Sequence, residues 1–113
     1  MNFETTQHTT YALITSQVEK LDASNASDLK DALHVLNKAG INSIIIDFSK
    51  TKYSDSTGLS AILLANRLCK DSNGKAVFMN LQPVVMKVIS IAQLDKVLNI
   101  ASNIEEANSL LAN

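Results

Sequence analysis

Three consecutive isoleucines, Ile44-Ile45-Ile46, constrain this chain more than any other stretch. Side chains alternate between the two faces of a strand, so an unbroken β-branched run puts apolar groups on both faces. Such a strand has to be covered from two sides, as in the interior of a parallel sheet. Ala76-Val77-Phe78-Met79 reads as a second interior strand of the same kind.

The segments around these two alternate in type. Tyr11 to Val18 is aromatic and β-branched enough for a strand, and Phe3 to Thr6 is placed to pair with it as a short edge hairpin. Ser24 or Asn25 precedes a helical pattern with apolar Leu29, Ala32, Leu33 and Leu36, closed by Lys38-Ala39-Gly40. A polar connector, Asp47 to Gly58, leads into a helix from Leu59 to Cys69 that is apolar nearly all round its first turns. Ser72-Asn73-Gly74 ends it. Pro83 stands at a first helical position before Val84 to Ile91, and Val97 to Ile100 makes a last short strand. Ser102 and Glu105 have capping-box spacing ahead of Ala107, Leu110 and Leu111. Strands and helices thus alternate after an initial hairpin. That order predicts one small α/β domain over residues 1–113 with a mixed, mostly parallel sheet.

Composition narrows the function. Ten Lys and Arg against eleven Asp and Glu leave a formal charge of −1, which gives no basic field for direct nucleic-acid binding. No run of about 18 apolar residues is available for a membrane span. The N-terminal residues lack the basic and apolar regions of a secretory signal, and Cys69 has no partner for a disulfide. The expectation is a cytoplasmic protein without membrane insertion.

Few residues suit catalysis. His34 follows Leu33 on the first helix and reads as a surface or boundary histidine, and Cys69 as a buried helix thiol. No phosphate loop, nucleophile elbow or zinc-protease motif is present, and no histidine neighbours Ser54 or Ser56 in sequence. No cofactor, metal site or enzymatic activity is expected. The exception to this plainness is Ser54-Asp55-Ser56-Thr57-Gly58. It reads as an N-cap, because Asp, Ser and Thr accept from the free amides of a helix start. One cap needs one side chain, however, and four candidates stand in a row. A hydroxyl beside free amides at the positive end of a helix is also a place where a phosphate is stabilised. A serine there can gain charge for a partner to read without disturbing the core.

The residues Asp47-Phe48-Ser49-Lys50-Thr51 and Asp55-Ser56-Thr57-Gly58-Leu59 resemble the STAS domain of bacterial anti-sigma factor antagonists. Asn80-Leu81-Gln82-Pro83-Val84-Val85 and Leu94-Asp95-Lys96-Val97-Leu98 are similar to the second half of that family, so the resemblance spans nearly the whole chain. It implies a sheet with about four helices packed mainly on one face. It also implies a phosphorylation-switched binding module, with Ser56 as the phosphorylated residue. Asp22, Ser54, Asp55, Ser56, Thr57 and Gly58 would form the partner-binding surface. The implied partners are an anti-sigma factor serine kinase, which the unmodified form binds so that the sigma factor is released, and a serine/threonine phosphatase. The protein is expected to be a monomer. The other function met among STAS domains is that of an accessory subunit in membrane or lipid transport. Two positions depart from the family: Glu19-Lys20-Leu21-Asp22 lacks its glycine, and Gln93 replaces a glycine ahead of Leu94.

Overall fold

In a computed structural model, which describes residues 2–112, the isoleucine run occupies the central strand of a five-stranded sheet. The strands in sequence are β1 (Phe3–Gln7), β2 (Ala12–Ser16), the two-residue β3 (Lys20–Leu21), β4 (Ser43–Asp47), the two-residue β5 (Tyr53–Ser54), β6 (Lys75–Met79) and β7 (Asn99–Ala101). The helices are α1 (Ala26–Lys38), α2 (Ser56–Asp71), α3 (Pro83–Ile91) and α4 (Ile104–Ala112), with a 3-10 turn at Leu94–Lys96. The main sheet runs β1-β2-β4-β6-β7, antiparallel between β1 and β2 and parallel elsewhere. Ile45 sits between Leu13 of β2 and Val77 of β6. This is the mixed, mostly parallel α/β domain with four helices that the alternation predicts.

From β2 to β7 each parallel step moves in one direction across the sheet, so right-handed crossovers drop α1, α2 and α3 on one face. That face holds the larger core. Ile44, Ile46 and Phe78 meet Leu29, Leu33, Ala61, Ile62, Val85 and Ile89 there. Phe48 packs beside Phe78, ring centroids 6.5 Å apart. The opposite side chains of the same strands, Ile45, Val77 and Met79, are covered by Ala107, Leu110 and Leu111 of α4. Three helices on one face and one on the other account for both sides of the isoleucine run.

Three local expectations need correction. Asn25 is the residue before α1 but does not cap its amides. Its side chain is spent on the preceding turn instead, accepting from the Asp22 amide (3.0 Å) and donating to the Lys20 carbonyl (2.8 Å). The capping box of α4 lies one residue later than its spacing suggested: Asn103 Oδ1 accepts from the Glu106 amide (2.8 Å), and Glu106 reaches back to the Ser102 amide (3.1 Å). The last strand starts at Asn99 rather than Val97, because the amides of Val97 and Leu98 close onto the Leu94 carbonyl. Gly40 closes α1 with φ +83°, as expected of a glycine there. Gln93 takes φ +61°, a left-handed conformation that favours glycine.

Candidate functional site

The polar connector is less extended and more anchored than its composition suggests. Phe48, Thr51 and Ser54 are buried within it, and its end pairs as β5 with β3 in parallel. The Asp55 amide extends that pairing, donating to the Leu21 carbonyl at 3.2 Å. Chain segments more than thirty residues apart in sequence are thereby joined, and Asp22 follows directly after the residue that Asp55 holds.

Asp55 then opens α2. Its backbone is extended (φ −100°, ψ −172°), its carboxylate accepts from the Gly58 amide at 2.9 Å, and its carbonyl accepts from the Leu59 amide at 2.9 Å. Of the four side chains that compete for the capping role, Asp55 takes it. Ser54 is fully buried and donates to the Asp55 carbonyl (3.2 Å), so it supports the turn from below. Gly58 is required by space: a Cβ there would overlap the Leu21 carbonyl oxygen and Ser54 Oγ. The helix can approach β3 this closely only without a side chain.

Ser56 and Thr57 are left over. Both are exposed on the first turn of α2, and the Ser56 hydroxyl has no hydrogen-bond partner among the described residues. Ser56 lies at the edge of a groove of about 370 Å3 between the start of α2 and the end of α3. Tyr53, Leu59, Val88 and Ile91 line that groove, and Ile91 is 73% exposed. Asp22 is held as an anion: the Ser24 hydroxyl and amide both donate to it (2.6 and 3.0 Å), which lowers its pKa. The structure therefore brings Asp22, Ser54, Asp55, Ser56, Thr57 and Gly58 into one region, with Ser54 and Gly58 inside it and Ser56 and Thr57 facing outward.

The apolar groove was not evident from the sequence, although one signal existed. In α3 the buried stripe is Val85 and Ile89, yet Val84, Val88 and Ile91 are apolar as well. A helix on one face of a sheet needs one stripe, and the second has to face outward. Elsewhere, His8 is exposed and stacks on Tyr11, ring centroids 4.6 Å apart, and His34 is exposed on α1. Cys69 is buried, and burial raises its pKa to about 11. Among the described residues, no helix is long and apolar enough to cross a membrane.

The family model for the STAS domain matches residues 2–107, and the chain belongs to that family. Solved structures agree in fold. A candidate anti-sigma factor antagonist of Thermotoga maritima superposes with a TM-score of 0.86 at 22% identity, covering 98% of this chain and 95% of that one. The Bacillus cell fate determinant SpoIIAA in its phosphorylated form gives 0.74 at 21% identity, over 95% and 96% of the two chains. The murine anion transporter solute carrier 26 member A9 gives 0.75 at 17% identity, over 96% of this chain but 19% of that one.

Proposed function

We propose that this chain is an anti-sigma factor antagonist whose binding surface is switched by phosphorylation of Ser56. Unmodified, it binds an anti-sigma factor that is also a serine kinase, and the sigma factor is released. The kinase transfers the γ-phosphoryl group of ATP to Ser56 Oγ; the bond to the ADP leaving oxygen breaks, and the hydroxyl proton passes to the kinase's base. The modified form leaves the kinase, and a serine/threonine phosphatase restores it by hydrolysis. On this reading the protein is a cytoplasmic monomer that binds proteins and needs no cofactor, membrane insertion or nucleic-acid contact.

One observation carries the reading. Ser56 is exposed, without an internal hydrogen-bond partner among the described residues, and stands at the rim of the groove lined by Tyr53, Leu59, Val88 and Ile91. A partner seated on that groove excludes water from around the hydroxyl. A phosphate brings a charge of about −2, which becomes costly where water is excluded unless the partner supplies cations. A penalty of about 2.7 kcal/mol already weakens binding a hundredfold. Asp22 and Thr57 flank the same surface and help to define the kinase that fits it. Neither histidine lines the groove, so no imidazole stands ready to make Ser56 a nucleophile.

The test is capture of partners from the native cell with wild-type and Ser56→Ala protein, followed by phosphorylation of the recovered complex with ATP. Ser56→Ala is expected to retain the kinase in the presence of ATP, and fragment mass spectrometry to place one phosphate on Ser56 of the wild type. Ser56→Glu carries half of the phosphate's charge and is expected to bind partially, through faster dissociation. Equal kinase affinity of well-folded Ser56→Ala, Ser56→Glu and phosphorylated protein would exclude the switch. A second reading, a transport accessory, draws on the likeness to the murine transporter, and recovery of a permease in place of a kinase would favour it.

A further inference from the structure

The outward face of α2 continues beyond Ser56. Ser60, Leu63, Arg67 and Lys70 follow at spacings of four, three, four and three residues, so they form one stripe along the helix. Beside the far half of this stripe lies a groove of about 660 Å3, to which α1 contributes Lys30. Leu63 and Leu64 provide apolar surface, and Lys30, Arg67 and Lys70 provide positive charge, against one lining carboxylate, Asp71. None of these three cations has an ion-pair or side-chain hydrogen-bond partner among the described residues. The whole chain is slightly negative, so the positive excess in the groove is a local arrangement.

We propose that this groove seats an acidic, amphipathic segment of a protein partner, its apolar side on Leu63 and Leu64 and its carboxylates toward Lys30, Arg67 and Lys70. A nucleic acid is a poorer match, because the lining holds no aromatic side chain for bases and the chain offers no long basic track for phosphates. The inference goes beyond the Ser56 reading and does not depend on it. Arg67 lies eleven residues from Ser56, about 16 Å along the helix axis at 1.5 Å per residue. That exceeds the screening length of about 8 Å at physiological salt, so charge added at Ser56 leaves the groove's field largely intact. A partner held here keeps one contact in both states of the serine.

The experiment is an NMR titration of the isotopically labelled chain with a short helical peptide that carries Leu on one face and Glu on the other. A peptide with Lys in place of Glu is the control. The Leu-Glu peptide is expected to shift the signals of Lys30, Leu63, Arg67 and Lys70. Its affinity is expected to fall about tenfold or more in the double variant Arg67→Glu, Lys70→Glu and in high salt, and to stay unchanged in Ser56→Glu. Both reversed residues are exposed, and the neutral pair Arg67→Gln, Lys70→Gln gives an intermediate loss if folding of the reversed pair is disturbed. Equal binding of the Leu-Lys peptide, shifts mapping elsewhere, or wild-type affinity in both double variants would overturn the proposal. So would absence of peptide binding together with Arg67- and Lys70-dependent binding of phosphatidylserine vesicles, which would assign the groove to a membrane surface.

Discussion

Ser16 Oγ and Thr51 Oγ1 lie 2.8 Å apart in the core, and the second hydroxyl also donates to the Val18 carbonyl at 2.8 Å. Thr51 has one hydroxyl proton, already given to Val18, so Ser16 is the donor between the two. This buried chain of bonds ties the end of β2 to the connector that carries β5 and the Asp55 turn. Thr51→Val keeps the shape but leaves the Ser16 hydroxyl and the Val18 carbonyl without their partner, at a cost of about 1–3 kcal/mol. Ser16→Ala removes only the donor and is expected to cost about 1 kcal/mol. Urea titrations of the two single variants and the double variant check this, with the double variant less destabilised than the sum of the singles.

The cap and the proposed phosphorylation site are adjacent side chains. Asp55→Ala removes the acceptor of the Gly58 amide and is expected to cost about 1 kcal/mol, within a range of about 0.5–2. Ser56→Ala removes an exposed hydroxyl that caps nothing and is expected to stay within about 0.5 kcal/mol of wild type. Thermal melts that reversed this order would show that the serine, not the aspartate, holds the helix start.

A charge placed at two isoleucines separates the core from the exposed groove. Ile45 is fully buried between the sheet and α4, and Ile45→Asp buries an unpaired carboxylate, a penalty of several kcal/mol against a total stability of about 5–15. Ile91 is 73% exposed, and Ile91→Asp is expected to leave the melting temperature nearly unchanged while weakening binding of the proposed kinase partner about tenfold or more. Circular dichroism and calorimetry together check both halves.

Cys69 sets a pH dependence. Its folded pKa, raised to about 11 by burial, stands above its ordinary value of 9.0, so the folded state favours the protonated thiol. The stability tied to that thiol is fully present below pH 9 and is lost as pH rises through about 11. Denaturant midpoints measured between pH 8 and pH 11 should fall more steeply for wild type than for Cys69→Ala. At pH 8 a thiol reagent should label native protein far more slowly than unfolded protein.

The features legible in the sequence were those fixed by local chemistry. Ile44-Ile45-Ile46 announced a doubly covered strand, Pro83 the start of α3, and Gly40 the end of α1. The Asp-Ser-Thr-Gly turn indicated a helix start, with α2 beginning at Ser56 rather than Leu59. What could not be read depended on distant partners. The two-residue ladder between β3 and β5 has no periodicity of its own and exists because Leu21 and Ser54 meet in space. The same contact explains Gly58, whose missing side chain answers to a carbonyl far back in the chain. Asn25 failed as a cap because Asp22 and Lys20 claimed its amide group, a competition that spacing alone does not reveal.

The closeness of Gly58 to β3 has a consequence for how information passes through this molecule. The helix start is pressed against the Leu21 carbonyl and pinned by Asp55, so the turn beneath Ser56 is closely packed. On the proposed reading, a phosphate on the serine oxygen is then carried as a label is, legible from outside and silent within. The work of discrimination falls on whichever molecule comes to read it.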